Sequence, residues 1–235
     1  MAGSLILVPS LLGVVPPSSV LPSRTIEIAR TLTHWVVETP KAARAFLQAL
    51  TVARPISQLS ILALPPVPDT NVIDAALAHL RTGHDVGVLS DAGCPGIADP
   101  GAALVAAVHG AGLRVTPLVG PSALLLALMA SGMNGQRFAF HGYLPVKPDA
   151  RATALRRLEQ SSRAEARTEM FIETPYRNAA MVATMVATLD RKTRVCVAAD
   201  LTLPSETVEC RTVDQWRKID PAQFNRRPAV FLLQA

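Results

Sequence analysis

Short apolar runs alternate with amphipathic stretches along nearly the whole chain. The apolar runs predict strands over Leu5–Val8, His34–Val37, Ser60–Leu64, Val86–Leu89 and Leu113–Leu118. Between them, helical spacing predicts helices over Thr25–Thr31, Pro40–Ala49, Asp69–Arg81 and Pro100–His109, the third with Val72, Ala75, Ala76 and Leu80 on one face. Apolar strands joined through helices point to a largely parallel, helix-covered sheet. The rhythm restarts after Arg137 with strand FAFHGYL, a basic polar helix over Pro148–Ser162, strand Glu169–Glu173, helix Pro175–Leu189 and strand Val195–Ala199. Beyond that the βα alternation stops, and Thr207–Arg211 and Val230–Gln234 read as strands of a mixed sheet. The expected fold class is α/β, in two α/β domains: residues 1–119 around a mostly parallel sheet and residues 120–235 around a mixed one.

Composition sharpens this picture. Of 235 residues, 49% are hydrophobic and 17% charged, which excludes a disordered chain and supplies a large core; only 4% are aromatic, so that core is aliphatic. The excess of 23 Lys and Arg over 18 Asp and Glu suits an anionic partner such as RNA or a phosphate-bearing substrate, although the basic residues are scattered. Cys94, Cys196 and Cys210 are odd in number and far apart in sequence, with no CxxC, so neither a disulfide framework nor a zinc site follows. The N-terminus has no basic segment before an apolar one, and Pro9, Pro16, Pro17 and Pro22 interrupt any helix there. The charge-free stretch Val115–Gln136 is broken by Pro117, Gly120, Pro121 and Gly132, short of the roughly 20 apolar residues a membrane span needs. The expectation is a soluble protein of the reducing cytoplasm.

Candidate chemistry concentrates where strands run into loops. Asp85–Asp99 reads DVGVLSDAGCPGIAD: a strand breaks into small residues that present bare backbone, with Asp91 near the strand end and Asp99-Pro100 reading as an N-cap and first helical residue. VGPSA, Val119–Ala123, is built alike, with Ser122 placed to cap the next helix. In open α/β sheets such loops line one ligand crevice. Cys94 reads as a small residue filling the first turn.

The motifs carry a resemblance. The chain resembles the tetrapyrrole methylase family of S-adenosylmethionine-dependent methyltransferases, and within it the branch of small-subunit (16S) ribosomal RNA 2'-O-cytidine methyltransferases. SDAGCPGIADPGAALV is similar to that branch's S-D-A-G-T-P-x-I-S-D-P-G segment, VTPLVGPSALLLAL to V-x-P-x-P-G-P-[SC]-A, and FAFHGYLPVK to F-x-F-x-G-F-L-P-x-K. MFIETPYR, AADLTLPSETV and the closing PAVFLLQA follow in the same order, so the resemblance covers about two thirds of the chain from Asp85 onward. The N-terminal third departs: LVPSLLGVVPPSS stands where the branch has T-P-I-G-N-L-x-D, keeping Pro9 alone. Leu203 stands for the usual Lys, and Arg226-Arg227-Pro228 for K-G-E.

What the resemblance implies is an S-adenosylmethionine-dependent methyltransferase acting on the ribose 2'-hydroxyl of ribosomal RNA, a homodimer with its cofactor in a cleft between the two domains. Its implied cofactor residues are Pro9, Asp91, Ala92, Gly93, Ile97, Ala98, Ser122, Ala123, Glu173, Thr174, Pro228 and Ala229. Methyl transfer from a sulfonium asks for alignment rather than a nucleophilic side chain, and Arg177 and Glu173 are the candidates for work on an acceptor hydroxyl. A tetrapyrrole or other small-molecule acceptor, or a binding module without catalysis, are the alternatives that the altered N-terminal loop raises. A nicotinamide-dependent enzyme lacks its G-x-G-x-x-G. His34, His79, His84, His109 and His141 show no ligand spacing, so no metal is expected. The run Lys147, Arg151, Arg156, Arg157, Arg163 and Arg167 offers a basic face to RNA, without interleaved aromatics.

Overall fold

Val86–Leu89, sequence VGVL, is buried at all four positions. The small residue in it is required: a Cβ on Gly87 would lie 2.6 Å from the Trp35 ring, which crosses this strand from its neighbour. In the computed structural model, which describes residues 2–65 and 70–235, the chain forms two units, Met1–Ser122 and Ala123–Ala235.

The first unit holds β1 (Ser4–Leu7), β2 (His34–Val37), β3 (Ser60–Ala63), β4 (Val86–Leu89) and β5 (Arg114–Pro117), all parallel, in the order β3-β2-β4-β1-β5. Its helices are α1 (Ser23–Thr31), α2 (Pro40–Leu50), α3 (Thr70–Arg81) and α4 (Ala102–Gly110). Strand alternation divides the core in two. Ile6, Trp35 and Val37 pack with Ala29 of α1 and Ala43, Phe46, Leu47 and Leu50 of α2, whereas Leu5, Val36 and Val88 pack with Leu80 of α3 and Leu104 and Val108 of α4. The expected start of the third helix, Asp69, lies outside the described residues.

The second unit holds α5 (Ala123–Ser131), β6 (Phe138–Tyr143), α6 (Pro148–Glu165), β7 (Thr168–Ile172), α7 (Asn178–Thr188), β8 (Arg194–Ala199), β9 (Thr207–Thr212), α8 (Val213–Trp216) and β10 (Ala229–Gln234). Its sheet runs β6-β7-β10-β8-β9, parallel between β6 and β7 and antiparallel thereafter. Phe171, Val197 and Phe231 join α6 and α7 in its main core, sealed by Trp216, whose indole donates to the Val195 carbonyl at 3.0 Å. No helix among the described residues is long and apolar enough to cross a membrane.

Two expected boundaries shift for physical reasons. The fourth helix begins at Ala102, not Pro100, because Gly101 takes φ +139° and lies on the backbone of Gly96, so Gly101 rather than Asp99 stands at the cap position. After β7, Pro175–Arg177 is a short 3₁₀ turn, and the α-helix starts only at Asn178.

Candidate functional site

In the first unit, β1 connects to β2 across β4, and β4 connects to β5 across β1. The two crossovers run in opposite directions and place their helices on opposite faces, so the carboxyl ends of β1 and β4 flank a topological switch point where such sheets hold ligands. Three loops meet there. The Ser10 amide donates to the Gly93 carbonyl at 2.8 Å, the Cys94 thiol donates to the Pro121 carbonyl at 3.5 Å, and Thr25 Oγ1 donates to the Val119 carbonyl at 2.7 Å. Gly120 makes this closure possible, since a Cβ there would lie 2.4 Å from Pro9 Cβ. Gly93 and Gly96 sit at φ +71° and +79°, and Ala98 adopts φ +65°, a left-handed conformation that costs a residue with a Cβ about 1 kcal/mol.

Three carboxylates gather at the ends of β2 and β4. Asp91 accepts from the Thr39 amide at 3.1 Å and from Thr39 Oγ1 at 2.8 Å, and its own amide donates to Glu38 Oε2 at 3.0 Å. Asp99 is pushed up to about 6, first by burial, then by the charges of Glu38 and Asp91. A cavity of about 340 Å³ lies beside Asp91 and Ala92, walled by Ser10–Val15 and by Ala42, Ala45, Phe46 and Ala49 of α2; a second, of about 270 Å³, runs from Leu64 to Asp99–Leu104. A ligand that fits here carries positive charge or hydroxyl donors and takes up main-chain groups.

The unit thus brings together Pro9, Asp91, Ala92, Gly93 and Ser122 around the joined loops, with Ile97 and Ala98 on their exposed rim. Glu38, Thr39 and the α2 wall were missed. Glu38-Thr39-Pro40 reads as a helix start, and only the pairing of β2 with β4 shows that it sits beside Asp91.

In the second unit the end of β7 adjoins the start of β10, so Glu173 and Thr174 neighbour Pro228 and Ala229. Glu173 Oε1 accepts from the Thr174 amide at 2.6 Å and from Arg177 Nε and Nη2 at 3.0 and 2.5 Å, while its buried Oε2 has no partner among the described residues. Arg177 also lies over the Tyr176 ring, so the pair singled out for acceptor chemistry is a held ion pair. Asn178 Nδ2 donates to the carbonyls of Phe224 and Arg227, and Arg227 Nε donates to Asp200 Oδ2 at 2.7 Å, fixing the segment before Pro228. Ala123 opens α5, which packs on β8, β9 and β10.

Of the basic run, Arg151 is buried with Nε on Thr184 Oγ1, and Arg167 is paired with Glu165 and Glu169. His141 meets the buried Glu169 at 2.6 Å. His34, His79 and His84, dispersed in sequence, come together with ring centroids 4.2 to 6.2 Å apart. No group of three or more His, Cys, Asp or Glu among the described residues is arranged to hold a metal ion.

The chain is 39% identical over 189 residues to "Ribosomal RNA small subunit methyltransferase I" of Xylella fastidiosa, covering 80% of this chain and 66% of that protein. Against the protein of the same name from Escherichia coli O157:H7 it is 38% identical over 163 residues, 68% of this chain and 54% of that one. By fold it matches the methyltransferase CobJ (TM-score 0.64, 18% identity, 100% of this chain and 94% of that one). By sequence the chain is a relative of these ribosomal RNA small subunit methyltransferases, and its fold is the one found in tetrapyrrole and precorrin methyltransferases. Uroporphyrin-III C-methyltransferase from Thermus thermophilus, complexed with S-adenosylhomocysteine, matches with TM-score 0.56 at 15% identity over 99% of this chain and 97% of that one. No protein-family profile matches the chain, and it spans about half to two thirds of the length of the curated relatives it resembles.

Proposed function

We propose that this chain is an S-adenosylmethionine-dependent methyltransferase of the tetrapyrrole methylase family whose acceptor is the ribose 2'-hydroxyl of small-subunit ribosomal RNA. The observation that carries it is the 39% identity over 189 residues with a protein named for that RNA. S-adenosylmethionine supplies a methyl group already activated on a sulfonium, which leaves the protein to align donor and acceptor and exclude water.

The residues of the first unit fit that donor. Asp91 Oδ1 and Oδ2 retain lone pairs beyond those given to Thr39 and can accept ribose hydroxyls. Ala98, exposed and at positive φ, can offer main-chain groups to a ligand, and the mutual repulsion around Asp99 is relieved by a ligand of net positive charge. Ala92, Ile97, Ser122 and Pro9 complete this proposed contact set. Ala123, Glu173, Thr174, Pro228 and Ala229 are proposed as cofactor contacts on the sequence resemblance alone, as is a homodimeric assembly, and a cytoplasmic location is proposed from the cysteine usage and the N-terminal sequence.

Incubation of the chain with methyl-labelled donor and small ribosomal subunits should place label on RNA ribose. Label on a tetrapyrrole but not on RNA would move the acceptor, and tight binding of S-adenosylhomocysteine without transfer to either would leave a binding module. Absence of S-adenosylhomocysteine binding in calorimetry would sink the reading altogether.

A further inference from the structure

The register of β8 and β9 sets Cys196 directly opposite Cys210. Directly opposed residues of an antiparallel pair have Cα atoms about 4.5 or about 5.5 Å apart, both within the roughly 4.4–6.8 Å that a disulfide spans. Val195, Val197 and Ala199 point into the core with α6 and α7, so Arg194 and Cys196 take the other face. There Arg194 reaches the C-terminal carbonyls of α5: Nη1 and Nη2 each lie 3.2 Å from Gly132 O, and Nη2 lies 3.3 Å from Ser131 O. The same Nη2 is 3.5 Å from Cys210 Sγ. Cys196 is fully buried, whereas Cys210 stands half-buried on the edge strand of the sheet.

We propose that Cys196 and Cys210 are a redox-active dithiol: Cys210 is the thiolate that attacks a hydroperoxide, Arg194 positions and holds its charge, and Cys196 resolves the product as a cross-strand disulfide. In the first step the Cys210 sulfur attacks the O–O bond. It becomes a sulfenic acid, and the displaced oxygen leaves, with one proton, as water or an alcohol. In the second, the Cys196 thiol condenses with that sulfenic acid: the S–S bond forms, the S–O bond breaks, and hydroxyl and proton depart as water. Two electrons pass from the dithiol to the peroxide.

The electrostatics agree with the geometry. The Cys196 thiol donating toward Cys210, and then the Arg194 guanidinium, bring Cys210 down to about 6 against the effect of burial, and the same contact followed by burial pushes Cys196 up. Cys94 is an internal control, half-buried with its thiol on Pro121 and pushed up by burial.

Limited alkylation of the full chain with iodoacetamide, read by peptide mapping, should label Cys210 ahead of Cys94 by roughly severalfold at pH 7. The advantage should reach on the order of tenfold at pH 6, since the larger thiolate fraction outweighs the lower intrinsic nucleophilicity of a low-pKa thiol. Hydrogen peroxide should then yield a Cys196–Cys210 bridge that a dithiol reductant reverses. Cys196→Ser should stop at a sulfenic acid on Cys210, trapped by dimedone. Arg194→Met should remove most of the labelling advantage and Arg194→Lys should keep part of it. Equal labelling of Cys94 and Cys210 in the folded chain, or over-oxidation of Cys210 with no bridge, overturns the proposal.

Discussion

The amide of Ser10 donates to the carbonyl of Gly93 at 2.8 Å, tying the loop after β1 to the loop after β4. That bond, with the packing of Gly120 on Pro9, makes the strand-end loops of the first unit one body. Their fit to a ligand therefore depends on a glycine that need not touch it.

Gly120→Ala should lower stability by about 1–3 kcal/mol, because the added methyl meets Pro9 at 2.4 Å and the loops must part. Urea unfolding measures the loss, and S-adenosylhomocysteine affinity should fall with it. Unchanged stability would mean that the loops are not held in this way.

Asp99 sets one pH dependence. It is raised from 3.8 to about 6, so between those values the folded chain binds more protons than the unfolded chain, and stability falls as pH rises through this window. The full shift corresponds to about 3 kcal/mol, but the group is half-buried and solvent screening leaves ~1 kcal/mol. Asp99→Asn should recover that amount at pH 7 and flatten the slope, as read by thermal melts across pH 4 to 7.

His34 acts in the opposite sense. Burial first, then the neighbouring His79 and His84, lower it from 6.5, so the unfolded chain binds more protons and stability is lost as pH falls below about 6.5. His34→Gln should reduce that acid loss, visible in unfolding free energies compared at pH 7 and pH 5. An unaltered slope would show that His34 does not carry the acid loss.

Asn178→Asp should cost about 3 kcal/mol or more. The fully buried amide donates to the Phe224 and Arg227 carbonyls, and a carboxylate offers them only repulsion. Asn178→Ala should cost less, about 2 kcal/mol, by leaving two carbonyls unpaired. The ordering of the two variants in denaturant unfolding is the diagnostic.

Much of the architecture is written locally. Buried parallel strands such as Val86–Leu89 need four apolar residues in a row, and the glycines and prolines around Gly93 and Pro121 mark turns in any context. What escapes a linear reading is set by register and crossover. Glu38 reaches Asp91 only because β2 lies beside β4, and Cys196 meets Cys210 only because β8 and β9 pair as they do. The three histidines converge for the same reason, from a strand start, a helix end and the loop between them and β4. The start of α4 is not legible because Asp99-Pro100 reads as a helix start, whereas the positive φ at Gly101 delays the helix to Ala102.

The strand order of the first unit also governs how it folds. β1 is an interior strand, pairing Leu5 with Val86 and Ile6 with Thr116, so its hydrogen bonds close loops of some eighty and more residues. During synthesis its apolar residues wait in solution until β4 and β5 emerge from the ribosome, a long-range closure that makes folding slow and exposes the nascent chain to aggregation.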